Sequence, residues 1–458
     1  METRSTKKRR LEDTEYARQP DSWSGLAVAL LSLCLEFAIC DASGITKAAT
    51  VCKGWYEQFR GAFIRLSPIH MTSAITNTIH IFMYKSVFSC LCHLDLSNCR
   101  GITDAILVSL MYLPNLIHLN VSSSKHLFAV NSRSAMSSIT NVGIASLSSL
   151  VQLEFLDVQF SLISPGGLSC LSTLSNLIHL NMGRSNGFSV LDMHSLSFMP
   201  YIQYLDMSFE IVTPTSADQC VIMLCDLNSL THLDLEFWTM TNTSLQHMSK
   251  LNNLQTLCLD ICCRLGDEGM RSISLCTTLI DLSVGACDIT NVGFQYLSEM
   301  TGLRSLSLVG NSSVEGPDFQ TISRLSNLDN LNLSFCHGVM EFDLHALSAL
   351  TNLVTLSLNG IRSVCDDTLT HLSVLMQLET LDLTEATISD EGVESLTRLH
   401  SLTSICLEYT NIGDDGLMSL SSLTGLTYLD LCNCFDISYE SVSDFRDARP
   451  FVTIVIEE

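Results

Sequence analysis

LETLDLTEATISDEGVESLTRLHS occupies residues 378–401, and at Leu402 the chain starts the same pattern again with LTSICL. The unit opens Leu-x-x-Leu-x-Leu, whose alternation is the mark of a short strand with one face buried. Ile388-Ser389-Asp390-Glu391-Gly392 then leads into Val393 and Leu396, an apolar i, i+3 pair. A serine followed by acidic residues ahead of such a pair reads as the N-cap of a short helix. One strand, one turn and one short helix therefore fit into 24 residues.

The six-residue core recurs in phase far beyond this stretch. It starts at Leu91, Leu116, Leu153, Leu177, Ile202, Leu230, Leu254, Leu279, Leu303, Leu328, Leu353, Leu378, Leu402 and Leu426. Most steps are 24 or 25 residues; the exceptions are 37 after Leu116 and 28 after Ile202, which predict inserted loops at 122–138 and 209–220. FVTIVI at Phe451 keeps the register and reads as a closing strand, 451–456. A unit this short cannot bury its own apolar face, so successive units must stack.

These cores resemble leucine-rich repeats over residues 91–458. The resemblance implies an α/β solenoid, a horseshoe of about fourteen coils with inner strands and short outer helices. The ninth position of the unit holds Cys99, Cys262, Cys287, Cys336 and Cys434, which is similar to the cysteine-containing repeat subfamily. There, this side chain is expected at the inner turn against backbone groups of neighbouring coils. Glu210, Trp238 and Ile361 stand at this site elsewhere, so the fifth, sixth and eleventh coils are expected to be irregular.

Composition fits stacking rather than a disulfide framework. The chain has 458 residues, 47% of them hydrophobic, and 19 cysteines that fall mostly at repeat positions without short-domain spacing; they read as small buried thiols. Cys90/Cys92, Cys262/Cys263 and Cys432/Cys434 are too close for the usual zinc pattern, so no metal or cofactor is expected. The run LAVALLSLCL at Leu26–Leu35 is interrupted by Glu36 and is shorter than the roughly 20 residues a spanning helix needs. It reads as neither anchor nor signal peptide.

Residues 21–62 read instead as a helical module. Leu26, Leu30, Leu31 and Leu35 fall at helical spacing, Asp41–Gly44 interrupts, and Ile45, Cys52 and Trp55 lie on a second stripe. Forty residues cannot cover that much apolar surface alone, so the module should dock on something. Its second helix, with Val51-Cys52-Lys53-Gly54-Trp55, resembles the F-box, although Ala27 stands where that family has proline. The resemblance implies binding to a Skp-type adaptor of a cullin ubiquitin ligase. Leu26, Leu30, Leu31, Leu35, Val51, Cys52 and Trp55 would carry that contact. The plainer alternative is a helical cap on the first repeat, which makes the chain an interaction scaffold or inhibitor outside ubiquitin ligation. Residues 1–20 read as a disordered polar tail in which Lys7–Arg10 could serve nuclear import; otherwise a cytoplasmic protein is expected. Residues 63–90 read as a helical linker.

Charge narrows the partners. The net charge is −24, and residues beyond 70 carry fourteen basic against forty acidic side chains. Such a surface repels phosphate backbones and anionic membranes, which excludes nucleic acid and membrane partners and favours a protein substrate. On the strand face, position three reads His93, His118, Phe155, His179, Tyr204 and His232, and positions eight and nine add Phe160, Phe209, Phe237 and Trp238, with Arg184 nearby. Aromatics around one arginine are the residue types that anchor interfaces. Phe155, Phe160, Arg184, Tyr204, Phe209, Phe237 and Trp238 are therefore the candidate substrate-binding residues. Asp95, Asp157, Asp206 and Asp234 at position five read as a solvated or mutually hydrogen-bonded ladder rather than a catalytic pair. No P-loop or Gly-x-Ser-x-Gly occurs, Asp267-Glu268-Gly269 and Asp414-Asp415-Gly416 lack the full ligand set of a calcium loop, and the chain is not expected to be an enzyme.

Overall fold

The computed structural model describes residues 64–65, 92–97, 102–122, 139–185, 188–209, 214–314 and 316–456. The F-box-like residues Leu26 to Trp55 lie outside the described residues, as do Cys99, Glu210 and nearly all of the 122–138 insertion. The rest divides into two compact units at Leu177/Ile178.

In the first unit, strands Ile64–Arg65, His93–Asp95, His118–Asn120 and Phe155–Asp157 pair in parallel in chain order. Ile64–Arg65 departs from the helical linker expected for 63–90: it lies beside Leu94 and Asp95. The reason is the open edge that the Leu91 strand would otherwise present.

In the second unit every strand from His179–Asn181 to Tyr428–Asp430 pairs in parallel with the next, position three against position three. The leucines at positions one, four and six form the core; Leu378, Leu381 and Leu383 are each fully buried. Burying one such side chain contributes about 2 kcal/mol, repeated coil after coil. The 28-residue step does not make the loop expected at 209–220. From Pro214 it is an eleven-residue helix, Pro214–Leu224, whose Ala217, Val221 and Leu224 are buried at i, i+4 and i+7. Extra residues with helical periodicity lengthen the helix rather than leave the stack. Among the described residues no helix is long and apolar enough to cross a membrane.

Two polar ladders join coil to coil. At position nine, the side chain donates to the position-six carbonyl of the preceding coil: Cys262 to Leu235, Cys336 to Leu308 at 3.1 Å and Cys434 to Leu407 at 3.0 Å. Asn311 does the same to Val284 at 2.8 Å. So does Trp238, whose Nε1–H reaches the Met207 carbonyl at 2.7 Å. The irregularity expected at Trp238 is thus absent, because the indole keeps both the burial and the donor of a cysteine. Ile361 keeps the burial alone.

The second ladder explains the Asp-Glu-Gly and Asp-Asp-Gly motifs. Asp267 accepts from the backbone N–H groups of Thr290 and Gly293 in the next coil, at 2.8 and 2.9 Å. Asp366 accepts from Ser389, Asp390 from Gly413 and Asp414 from Ser438; in the first unit Asp104 accepts from Thr140. Each carboxylate meets the N-terminal amides of the following helix, where negative charge is stabilised. Glycine follows at helix position three because a Cβ on Gly293, Gly392 or Gly416 would run into that carboxylate.

The closing segment is a strand, Thr453–Val455, in register with Tyr428–Asp430. It covers the strand edge of the last coil but not its core, since Phe451 is 92% exposed. Helix Tyr439–Ala448 covers the core, with Phe445 fully buried. Arg449 completes the end by donating to the carbonyls of Ser421, Leu423, Thr424 and Leu426.

Candidate protein-binding face

Position three lies half-buried on the strand face, and its rings stack. In the first unit His118 lies 5.7 Å from His93 and 3.9 Å from Phe155, the latter pair 14° from parallel. Burial holds the His93 imidazole below its ordinary pKa, against an opposing pull from Glu154. In the second unit Tyr204 stacks on His179 at 3.9 Å and meets His232 at 5.8 Å. Phe155 and Tyr204 thus have ring faces occupied by neighbours and offer edges to a partner. From Thr256 to Ser404 the column is polar, beginning with Thr256 donating to Asp281, and a ring returns only at Tyr428.

Position five is a turn device rather than a ladder of carboxylates bonded to one another. Asp95, Asp157, Asp206, Asp234, Asp382 and Asp430 each accept from the backbone N–H two residues on. Asn120, Asn181 and Asn332 do the same. This closes the turn after the strand without a partner coil.

Position eight follows with a left-handed backbone. The ten non-glycine residues recorded with positive φ all stand at this position, from Phe160 at 63° to Asn433 at 58°, and Gly310 and Gly360 share it. Each non-glycine residue there costs about 1 kcal/mol, least for asparagine and most for bulky side chains. Phenylalanine stands there at 160, 209, 237 and 335 and tyrosine at 409.

Arg184, Phe209 and Phe237 gather into one patch in the second unit. The Arg184 guanidinium lies 3.2 Å from the centroid of the Phe209 ring, and the Phe209 and Phe237 rings are 4.1 Å apart. A cation over an aromatic face is attractive by about 0.5–2 kcal/mol. Beside the patch, burial pushes Asp234 up to about 7, with the nearby Asp206 charge adding to the effect. Burial also raises Asp206, which the Ser208 hydrogen bonds and Arg184 oppose. Glu236 is raised by burial and by Asp260. The patch therefore offers rings, one guanidinium and under-compensated carboxylates, a setting for a partner with apolar and basic side chains.

The expected residues separate. Arg184, Phe209 and Phe237 come together in the second unit, Tyr204 of the same unit lies instead against His179 and His232, and Phe155 and Phe160 belong to the first. Trp238 is corrected: it is fully buried in the turn ladder and reaches no partner. Phe335 and Tyr409, 43% and 52% exposed at position eight, were not singled out from sequence; their place in the repeat was the available signal. The described cysteines are free thiols, and burial pushes Cys336 up to about 11. A metal-competent trio, His345, Asp367 and His371, lies on the helix side.

The family described as Leucine Rich repeat matches residues 89–111, 375–396 and 398–421. No curated protein matches the chain. Among solved structures, an internalin (inlF) of Listeria monocytogenes is 20% identical, with a TM-score of 0.52 over 78% of this chain and 94% of its own. The leucine-rich-repeat protein LIC12759 of Leptospira interrogans is 19% identical, with a TM-score of 0.51 over 90% of this chain and 98% of its own. The structure of the Rad7 and Elc1 complex in yeast is 14% identical, with a TM-score of 0.51 over 90% of this chain and 96% of that one. At these identities the likeness is one of fold, and together with the family match it establishes that the repeats of this chain are leucine-rich repeats.

Proposed function

We propose that this chain is the substrate-recognition subunit of an SCF-type ubiquitin ligase, binding a protein substrate on its strand face and a Skp-type adaptor through the F-box-like helices of residues 21–62. The observation that carries the binding half is the Arg184–Phe209–Phe237 patch. Two large aromatics in adjacent coils are held with their rings together, one under a guanidinium, at left-handed positions that glycine or asparagine fills in three other coils, a cost to folding that a binding role accounts for. The adaptor half rests on the resemblance of Val51-Cys52-Lys53-Gly54-Trp55 to the F-box. That Rad7, a neighbour in fold, was solved in complex with Elc1 is a precedent for such repeats working in an assembly.

Pull-down of the full chain with a purified Skp-type adaptor tests the adaptor half. Leu31→Asp with Trp55→Asp is expected to abolish capture while the repeats melt unchanged. Undiminished capture by the double variant, or none by the unsubstituted chain, rejects it in favour of a repeat scaffold outside ubiquitin ligation.

A further inference from the structure

We propose that His345, Asp367 and His371 form a site for a divalent transition metal, zinc being the best fit, that clips two successive coils together on the helix side. Asp367 and His371 lie four residues apart on helix Asp366–Leu372 and so share a face. His345 comes from the preceding coil, where it opens the 3-10 turn His345–Ala349.

One nitrogen from each imidazole and one carboxylate oxygen lie within 4.8 Å of one another. The His345 Nε2 is 3.1 Å and the His371 Nδ1 3.6 Å from Asp367 Oδ2. Donors of a tetrahedral zinc, with bonds of 2.0–2.2 Å, stand about 3.3 Å apart, so the trio needs only a small adjustment to close on an ion.

Two further details favour a ligand over a simple ion pair. His345 Nε2 is buried yet has no hydrogen-bond partner, although the carboxylate is 3.1 Å away. Its direction thus misses an N–H···O bond, which an ion pair would have formed first. The two imidazoles also stack, centroids 3.7 Å apart and 14° from parallel. The stack holds imidazoles from two successive coils side by side at the one carboxylate. His371 Nδ1 also lies 2.9 Å from the Asp367 carbonyl. Ligation through Nδ1, the atom near the carboxylate, needs its lone pair, so an ion would replace that contact. Imidazole and carboxylate together suit zinc, nickel or copper rather than calcium or magnesium. Three protein ligands leave a fourth position for water or a partner's side chain.

Cysteine spacing gives no sign of this trio, because its ligands are brought together only by the stacking of coils. The test is zinc titration of the full chain by calorimetry, with cobalt spectroscopy alongside. One equivalent of micromolar or tighter zinc is expected. His345→Ala with His371→Ala should remove that equivalent, and His371→Gln should weaken it at least tenfold; His247→Ala and His400→Ala should leave it intact. Cobalt should show weak tetrahedral bands without thiolate charge transfer. Retention of the equivalent by the double variant, thiolate charge transfer in the cobalt spectrum, or no zinc binding by the unsubstituted chain would each overturn the proposal.

Discussion

The coils that start at Leu177, Ile202 and Leu230 and those that start at Leu353, Leu378 and Leu402 have one backbone and display different chemistry on it. Both sets bury leucine, isoleucine or methionine at positions one, four and six, and both turn left-handed at position eight. At that position the first set carries Arg184, Phe209 and Phe237, the second Gly360, Glu385 and Tyr409. At position five the first set carries buried Asp206 and half-buried Asp234, whose pKa values are raised. In the second set Ser357 donates to Asp382, which also accepts from Thr384. Folding is satisfied by either set. The Arg184, Phe209 and Phe237 side chains of the first are therefore surplus to folding, while Asp206 and Asp234 close turns at a cost in burial, which is the pattern expected where residues are kept for binding.

The largest expected effect separates two adjacent residues in the first set. Trp238→Ala removes a fully buried indole and its bond to Met207 and should cost about 4 kcal/mol of stability. Phe237→Ala, one residue earlier on the face, should cost less than about 0.5 kcal/mol. Phe237→Gly should be neutral or stabilising, because glycine adopts the left-handed backbone freely. Urea melts decide. A Phe237 cost comparable to that of Trp238 would make the patch part of the core.

Partner affinity should show the opposite ranking. Phe209→Ala and Phe237→Ala should each weaken substrate binding by about 2 kcal/mol if they are anchors, with melting little changed. Arg184→Ala should lose less, since its guanidinium already lies against Phe209 within the chain. Surface-plasmon titration of the three variants would read this. Equal affinity for all three and the unsubstituted chain would remove the face from the binding mode.

The acidic side of the patch should respond to pH. Asp234 is pushed up to about 7 when folded, so between about pH 4 and 7 the folded chain holds a proton that the unfolded chain has released. Stability from this group is therefore lost as pH rises through that window and is level on either side. Asp234→Asn keeps the acceptor for Glu236 N–H, as Asn181 and Asn332 do in their own coils. It should melt higher than the parent at pH 8, by on the order of 1 kcal/mol or more, and lose that lead near pH 4. Parallel melting curves at both pH values would show that Asp234 titrates normally.

What the sequence made legible follows from the period. Strand starts, helix caps and the buried leucines are local signals repeated in register, so one coil explains another. Trp238 was misplaced because an aromatic at a turn looks like an anchor until its Nε1–H is seen to reach Met207 in the preceding coil. The 209–220 insertion was misplaced because length alone does not tell a loop from a longer helix such as Pro214–Leu224. The left-handed position eight was hidden by its own residues, since phenylalanine and tyrosine are poor signals for positive φ. Coil-to-coil groups such as Asp267 with Gly293, or His345 with His371, exist only after stacking.

The smallest expected effect falls on the late coils and bears most directly on the comparison. Phe335 and Tyr409 hold the same left-handed position and are more than 40% exposed, so on geometry alone they too could serve a partner. Their surroundings differ. Phe335 lies against Gly360, where a Cβ would meet its ring, and edge-on to His337 at 6.3 Å, and the position-three side chain of its own coil is Asn330 rather than a ring. An isolated ring on a polar background makes a poor anchor, because hot spots cluster and exclude water together. Phe335→Ala with Tyr409→Ala should therefore change substrate affinity by less than about 0.5 kcal/mol, as should Thr355→Ala with Thr380→Ala. A loss of 2 kcal/mol from the Phe335 and Tyr409 pair, with Phe209 and Phe237 silent, would move the binding surface to the C-terminal coils and leave the Arg184 patch without a role.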